Sequence, residues 1–253
     1  QIISCYLMLL PWSSFGSGPT TFGLCASLQT KTPRCVQRRS IGASALGFTV
    51  GLSRQGRRRW PRRCEPEAVA WEQLHGVEEP LQTLVFPQEA GARCVALVKG
   101  QVAKQNHVAL RVHSECLLGD ALGSTRCQCG PQLRSFIETV LGSAAHPHGI
   151  LLYLQGQEGK GIGLSNKLRT YVLQDTEGLD EKEANLRLGF PPDKRKYQAA
   201  TTALEFLGVE SVVLYTGSPG KISSLSRFVA DVAPWCPRTQ RWDVKLPHQS
   251  DSA

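Results

Sequence analysis

Short apolar strands that alternate with amphipathic helices are the feature that most limits the folds open to this 253-residue chain. The segment GILLYLQ (149–155) is almost wholly apolar, as in a strand covered on both faces, and GIGLSNKLRTYVLQD (161–175) follows it with helical spacing. A helix at 197–209, closed by Gly208, precedes a second buried strand at 211–217. This alternation predicts an α/β fold, with α+β as an alternative, in which helices flank a mixed sheet.

Three further elements are predicted nearer the start of this region. Segments 94–100 and 107–113 have the β-branched composition of strands, with a turn between them. Segment 131–141 is predicted to be a helix, because its apolar residues share one face. No apolar run after residue 64 approaches the roughly 18 residues that a membrane helix needs, so no membrane association is expected for the mature protein. The apolar positions of the two helices at 131–141 and 161–175 are Leu133, Phe136, Ile137, Val140, Leu141, Leu164, Leu168, Tyr171 and Val172.

The net charge of +8 comes entirely from residues 1–64, which contain ten Lys or Arg and no Asp or Glu. The remaining residues carry 19 basic and 21 acidic side chains, a net charge of −2. A leader rich in Ser, Gly and Arg and free of acids is typical of an organelle transit peptide, which predicts a plastid location, with the cytoplasm as the alternative. Because RQGRRRWPRR (54–63) is interpreted as part of this solvated leader, no nucleic-acid partner is expected. The predicted organisation is a disordered leader at 1–64, a catalytic domain at 65–237 and a flexible tail at 238–253.

The segment HSECLLGDALGSTRCQCG (113–130) holds three of the five cysteines that follow the leader. Five is an odd number, and Cys127 and Cys129 are too close in sequence to pair comfortably, so a full set of disulfides is not expected. Two thiols so spaced can bind one ion, and Cys116 joins them across a loop with two glycines. The pattern indicates a metal site formed by Cys116, Cys127 and Cys129.

Three protein ligands leave one position of a tetrahedral zinc ion open. Structural zinc sites usually take all four ligands from the protein, and no second cysteine pair follows here. The spacing therefore favours a catalytic zinc ion that holds water, while structural zinc and buried free thiols stay as alternatives. His113 is a possible fourth ligand, although a hydrogen-bonding or core role suits its strand position better. HSE also matches the H-x-E of nucleobase deaminases, but RCQCG does not match the P-C-x-x-C that accompanies it there.

Three later segments carry groups suited to an anionic ligand. GQEGKGIGLSNKLR (156–169) joins a buried strand to a helix through glycines and a Lys, which suits phosphate binding. A glycine-rich turn that binds no ligand would have the same sequence pattern. PPDKRKY (191–197) places Asp193 two residues before Arg195, either as a surface ion pair or as part of a site. YTGSPGK (215–221) lies at a strand end, where α/β proteins place ligand contacts.

Taken in order, these motifs resemble the GTP cyclohydrolase II family, which opens the guanine ring of GTP at the start of riboflavin synthesis. The match comprises RVHSECLLGDALGSTRCQCGPQL, EGKGIGLSNKLRTYVLQD, EANLRLG and DKRKY. It runs from about residue 82 to about residue 229. Such an ordered set of motifs is specific, and it strengthens the prediction of catalytic zinc.

The resemblance implies one zinc ion per subunit on the three cysteines. The pKa of its bound water would be lowered, and this water would attack C8 of the guanine and later release formate. Mg²⁺ would accompany the triphosphate, and the family is typically a homodimer.

The resemblance also implies roles for individual residues. Asp193 would accept a proton, and Arg195 would be the nucleophile toward the α-phosphate that expels pyrophosphate. Because a free Arg is protonated, the carboxylate two positions away would help to remove its proton. Tyr171 matches the family's catalytic tyrosine. The positions that would contact GTP are Arg111, Val112, His113, Ser114, Glu115, Gln132, Glu158, Gly159, Lys160, Thr216 and Lys221.

The chain departs from the family pattern where the triphosphate would bind. Lys160 replaces a usual Arg, and Glu181 replaces a usual Thr, which brings a negative charge toward the phosphates. Gly217 and Ser218 replace two Asn, and Gln155 stands where an Arg is frequent. Two functions therefore stay open: an active enzyme with weakened triphosphate binding, or a catalytically impaired or substrate-shifted zinc-bearing paralogue that binds a nucleotide.

Overall fold

A seven-stranded mixed sheet organises the protein, for which a computed structural model describes residues 65–88 and 92–243. The predicted leader and residues 244–253 of the predicted tail lie outside the described residues. The strands of the sheet are β1 (Ala68–Glu72), β2 (Leu81–Pro87), β3 (Arg93–Lys99), β4 (Val108–Ser114), β5 (Gly149–Leu154), β6 (Val212–Tyr215) and β7 (Val229–Ala233). Their order across the sheet is β1-β2-β3-β5-β4-β6-β7.

The sheet has an antiparallel half and a parallel half. Strands β1, β2, β3 and β5 pair antiparallel, whereas β5, β4, β6 and β7 pair parallel. The parallel centre is buried on both faces, which is why β5 is apolar almost throughout, whereas β4 is equally buried but carries Arg111 and His113. The predicted α/β class with a mixed sheet is confirmed.

Seven short helices connect and cover the strands. They are α1 (Leu117–Asp120), α2 (Cys129–Phe136), α3 (Glu158–Gly161), α4 (Leu164–Glu177), α5 (Glu181–Arg187), α6 (Gln198–Leu207) and α7 (Pro219–Ser224) among the described residues. A π-helical turn, Ile137–Leu141, extends α2, so the predicted helix at 131–141 is confirmed. Gly208 ends α6, as predicted, and does so in the left-handed conformation.

The two faces of the sheet carry separate apolar cores. One core joins Leu152 to Leu204 of α6, and the other joins Leu151 to Phe136 of α2. Because successive side chains of a strand point to opposite faces, Leu110 belongs to the first core, whereas its neighbour Arg111 lies on the side of α2. This alternation places the polar residues of β4 beside the cysteine loop.

Helix α4 turns a polar face toward the protein interior. Lys167 and Thr170 are its buried residues, whereas Leu168 and Val172 are exposed. An amphipathic helix normally buries its apolar side, so this inversion indicates that α4 covers a polar site. No helix in residues 65–88 and 92–243 is long and apolar enough to cross a membrane.

The ordered structure continues past residue 237, where the flexible tail was predicted to begin. Strand β9 (Arg241–Trp242) pairs with β8 (Trp235–Cys236), and the side chain of Trp242 is buried against Tyr215. Burial of this indole ties residues 238–243 to the sheet, and a flexible tail stays a prediction for residues 244–253.

Candidate active site

The three cysteines meet where β4 leaves the sheet. Cys116 follows the end of β4, while Cys127 and Cys129 lie at the start of α2. Their sulfur atoms all lie within 4.8 Å of one another, and those of Cys116 and Cys127 are 3.6 Å apart. A Cβ added at Gly119 would lie 2.7 Å from the Cys127 sulfur, so the chain passes this cluster where only glycine fits. Among the described residues this is the one group of three or more His, Cys, Asp or Glu side chains placed to hold a metal.

The electrostatics of the cluster suit a cation. Hydrogen bonds from the thiols of Cys116 and Cys129 lower the pKa of Cys127. The same thiol interactions, with Cys116 first, raise the pKa of Cys129, and burial adds to this effect. Three sulfurs this close cannot all carry negative charge unless a positive ion shares the site, so their chemistry fits a soft divalent metal such as zinc.

A hydrogen-bond network anchored by Asp120 holds the cysteine loop against the sheet. The Asp120 carboxylate accepts hydrogen bonds from the backbone N–H of Cys116 (3.0 Å), the hydroxyl of Tyr153 (2.9 Å) and Nε2 of His113 (3.0 Å). Arg111 donates to Nδ1 of the same imidazole at 3.2 Å, so the proton of neutral His113 lies on Nε2. Burial lowers the pKa of His113 and keeps the ring neutral. His113 therefore supports the cysteine loop from beneath.

Lys167 links the cysteine cluster to the glycine-rich turn. Its Nζ donates to the sulfur of Cys116 at 3.0 Å and to the carboxylate of Glu158 at 2.5 Å. The other oxygen of Glu158 accepts from the backbone N–H of Leu117 at 2.7 Å. Burial lowers the pKa of Lys167, but the hydrogen bonds to Cys116 and Glu158 outweigh it and raise that pKa above its ordinary value. The polar face of α4 is thus buried because it contacts the cysteine cluster.

A cavity of about 360 Å³ opens beside the sulfurs, a size typical of small-molecule sites. Of the residues predicted to act in catalysis, substrate binding or metal binding, the structure places nine in its lining. These are Ser114, Glu115, Cys116, Cys127, Cys129, Gly159, Lys160, Tyr171 and Arg195.

Asp193 and Arg195 form a paired group at the cavity. Nε and one terminal nitrogen of Arg195 donate to the two carboxylate oxygens of Asp193, at 2.9 and 2.6 Å. The other terminal nitrogen lies 3.3 Å from the hydroxyl of Ser114. Burial opposes the charged guanidinium, yet the bonds to Asp193 outweigh it and raise the pKa of Arg195. The pair as it stands therefore favours a charged Arg195 beside an ionised Asp193.

The remaining predicted contacts lie around the cavity and do not line it. Arg111 is buried under the cysteine loop, where it donates to the carbonyl of Tyr215 and to the side chain of Gln132. Lys221 is buried and donates to the carbonyl of Val112, and burial lowers its pKa well below the ordinary value. Thr216 and Glu158 are also buried. Direct contacts of GTP with Arg111, Val112, His113, Gln132, Glu158, Thr216 and Lys221 stay predictions.

Several lining residues were not selected from the sequence. The guanidinium carbon of Arg126 lies 4.3 Å from the centre of the Tyr171 ring, and Arg126 forms a bidentate ion pair with Asp175. Gln157 accepts a hydrogen bond from Ser114 at 2.7 Å. The available signal was proximity in sequence, since Arg126 immediately precedes Cys127. The lining residues outside the predicted set are Arg126, Gln157, Lys167, Thr170, Gln174, Asn185 and Glu181, of which Glu181 was noted from the sequence as a departure from the family pattern.

The fold and the site together define an α/β enzyme with a candidate metal centre beside a cationic cavity. The chain belongs to the GTP cyclohydrolase II family, whose family model matches residues 74–237. The family resemblance predicted from the motifs is thereby confirmed.

Named relatives agree with this assignment. The chain is 48% identical over 140 residues to a protein named GTP cyclohydrolase-2 from Neisseria meningitidis serogroup A, which covers 55% of this chain and 68% of that protein. It is 44% identical over 158 residues to the riboflavin biosynthesis protein RibBA of Bacillus mycoides, covering 62% of this chain and 37% of the relative. RibBA of Bacillus cytotoxicus is 46% identical over 143 residues, covering 56% and 35%. The chain thus spans just over a third of the length of these two RibBA proteins.

Proposed function

We propose that this protein is a zinc-dependent GTP cyclohydrolase II that opens the imidazole ring of GTP in the first step of riboflavin synthesis. The products would be formate, pyrophosphate and a phosphoribosylated diaminopyrimidinone. One observation carries the proposal: a single cavity has three convergent thiols in its lining and the cations Lys160 and Arg195 as well. Such a cavity can accommodate both a reacting base and a polyanion. The names of the relatives support the same reaction.

The residues that would hold zinc are Cys116, Cys127 and Cys129, one ion per subunit. When bound, zinc supplies Lewis-acid chemistry and lowers the pKa of water. Lys167, already bonded to the sulfur of Cys116, would hold this ligand in place and offset the negative charge of three thiolates. We further propose that Mg²⁺ accompanies the triphosphate and that the enzyme acts as a homodimer.

Tyr171 is proposed to donate a proton or a hydrogen bond to the opening ring. Its side chain lines the cavity near two cations, with Cζ of Arg126 at 4.3 Å and Nζ of Lys167 at 5.9 Å from the ring centre. Burial raises the pKa of Tyr171, so the phenol keeps its proton at neutral pH. A protonated phenol facing the site is suited to general acid catalysis.

Arg195 is proposed to bind the α-phosphate first as a cation and then to act as the nucleophile that displaces pyrophosphate. The second role requires loss of a proton, and the Asp193 oxygen lies 2.6 Å from a terminal guanidinium nitrogen. Asp193 is therefore positioned as the direct acceptor. The ion pair also fixes the guanidinium plane before the nucleotide arrives.

Formate release tests the proposal. The purified chain, loaded with zinc and incubated with GTP and Mg²⁺, should release formate in proportion to its zinc content. If folded, zinc-loaded protein releases none, the alternative of a nucleotide-binding paralogue without this activity is favoured. The observation behind that alternative is the carboxylate of Glu181 in the cavity lining, where it would oppose a triphosphate.

We also propose, from the composition of residues 1–64, that the protein is delivered to a plastid. A fluorescent protein fused after residue 64 should accumulate in plastids of a plastid-bearing cell. Accumulation in the cytoplasm would contradict this part of the proposal.

A further inference from the structure

Every cationic side chain that lines the cavity already contacts a carboxylate in the described part of the chain. In three of these pairs the carboxylate lies outside the lining, so it supports the cation from behind. In the fourth pair both partners line the cavity. The pairs are Arg126 with Asp175, Lys167 with Glu158, Arg195 with Asp193, and Lys160 with Glu181.

The fourth pair places a negative charge where a ligand would bind. An oxygen of Glu181 lies 2.6 Å from Nζ of Lys160, and their side chains are 52% and 23% exposed. Neither group is deeply buried, so both are accessible to a ligand in the cavity. The carboxylate occupies the position on Lys160 that a phosphate oxygen would take.

The backbone holds both partners of this pair in place. Lys160 has a φ of 57°, a left-handed conformation that is costly for a residue with a side chain, and its carbonyl accepts from the N–H of Lys194 at 2.9 Å. Glu181 is the first residue of α5, whose start is fixed by a reciprocal capping box between Asp180 and Glu183. Since both backbones are fixed, the pair is a built contact between the glycine-rich turn and α5.

The charge of Glu181 also reaches the Asp193–Arg195 pair. Burial opposes the charged form of Arg195, whereas the bonds to Asp193, the effect of Tyr197, the charge of Asp193 and, last, the charge of Glu181 favour it. Glu181 therefore acts on Lys160 and on Arg195, the two cations proposed to hold the phosphates. A polyanion entering the cavity would meet this carboxylate before it could engage Lys160.

We propose that Glu181 is a specificity-determining residue that sets how many phosphates the cavity prefers on a guanine nucleotide. The inference rests on the proposed function and concerns the phosphate end of the same site. A triphosphate must displace the carboxylate from Lys160 and then lie beside its charge. With the α-phosphate on Arg195, as proposed, the last phosphate of a triphosphate would lie at Lys160, so a diphosphate would leave the Lys160–Glu181 pair intact. The wild-type protein therefore binds GTP less favourably, relative to GDP, than a variant without this charge.

Calorimetric titration with GTP and GDP, in the presence of zinc and Mg²⁺, tests this on the full chain. Glu181→Gln keeps the shape of the side chain and removes its charge. For a charge about 6 Å from a phosphate at an effective dielectric constant of about 40, the affinity for GTP should rise about tenfold. The affinity for GDP should rise clearly less, because only the weaker effect of Glu181 on Arg195 is removed for a diphosphate. Lys160→Met should act in the opposite sense and weaken GTP without weakening GDP.

Glu177→Gln is the matched control, because it removes one negative charge at the end of α4, outside the cavity lining, where Glu177 pairs loosely with Arg187. It should leave both affinities unchanged. An equal gain for GTP in Glu177→Gln, or equal gains for GTP and GDP in Glu181→Gln, would overturn the inference. If GTP binds and yields formate but the GTP-to-GDP ratio does not respond to Glu181→Gln, this inference alone fails. If neither nucleotide binds to the wild type or to Glu181→Gln, the inference and the proposed substrate fail together.

Discussion

Replacing Asp120 by Asn should loosen the cysteine loop through a conflict that the surrounding groups cannot relieve. The carboxylate accepts from three donors, namely Cys116 N–H, the Tyr153 hydroxyl and Nε2 of His113. An amide offers one oxygen and one NH₂ group, so the NH₂ must face at least one of these donors. His113 cannot move its proton to Nδ1, because Arg111 donates there. The backbone N–H of Cys116 cannot change its role either.

The cost can be worked from this geometry. The side chain of Asp120 is only 7% exposed, so the conflicting group is not rescued by water. Losing a charge-assisted hydrogen bond and leaving a buried donor unsatisfied costs about 3 kcal/mol in the free energy of unfolding. For a protein of this size that corresponds to a fall in Tm of about 6–12 °C. Because the network orients a metal ligand, zinc affinity should fall about 10- to 100-fold.

Differential scanning calorimetry and competition with a chromophoric zinc chelator measure these two effects. Asp231→Asn is the matched control, since Asp231 is exposed and, within residues 65–88 and 92–243, its side chain accepts only from the adjacent N–H of Val232. It should change Tm by less than about 1–2 °C. An Asp120→Asn protein with wild-type Tm and wild-type zinc affinity would refute the reasoning that this network holds the loop.

Four further outcomes follow from the structure. Cys127→Ser should abolish both zinc binding and formate release, as measured by metal analysis and the formate assay. Gly119→Ala should lower zinc content while the circular dichroism spectrum is kept, because its Cβ would lie 2.7 and 3.0 Å from the sulfurs of Cys127 and Cys116. Burial lowers the pKa of His113, so the unfolded state binds a proton that the folded state excludes. Stability should therefore fall as the pH drops below the ordinary pKa of 6.5. The Tm measured from about pH 7.5 to about pH 5.5 should decline less in His113→Gln than in the wild type. Trp242→Ala should cost about 3 kcal/mol in urea unfolding, since its indole is buried in an aromatic cluster.

Matched changes elsewhere control for each of these. Cys236→Ser removes a thiol outside the cluster, Gly123→Ala adds a Cβ in open space, and Arg241→Ala truncates an exposed neighbour of the buried indole. Gly123 has a φ of 69°, so its substitution costs some stability but should leave zinc content unchanged. Zinc retained in Cys127→Ser, or lost equally in Cys236→Ser, would contradict the assignment of the metal ligands.

Four central strands of the sheet and the cysteine cluster could be predicted because their causes are local. A continuous apolar run marks a strand buried on both faces wherever it pairs, and β5 agrees with the prediction to within a residue. The three cysteines are fixed by a short spacing and a loop that only glycine permits at position 119. Short-range geometry was sufficient for both.

Long-range partners could not be predicted in the same way. Nothing local indicates that Lys160 and Glu181, noted separately as departures from the family pattern, form an ion pair with each other. The orientation of α4 was equally hidden, because its apolar periodicity suggests burial of Leu168 and Val172, whereas contact with the cysteine cluster buries Lys167. In each case the deciding contact comes from another segment of the chain.

The groups that support the site from beneath are synthesised well after the cysteines. Arg111 is held by the carbonyl of Tyr215, and Val112 receives its hydrogen bond from Lys221, each about a hundred residues later in the chain. At a typical synthesis rate of about 5–20 residues per second, the thiols precede these supports by roughly 5–20 s. During that interval the nascent cysteines have no finished β6 beside β4, so they are open to oxidants or to a competing metal until the last strands of the sheet are in place.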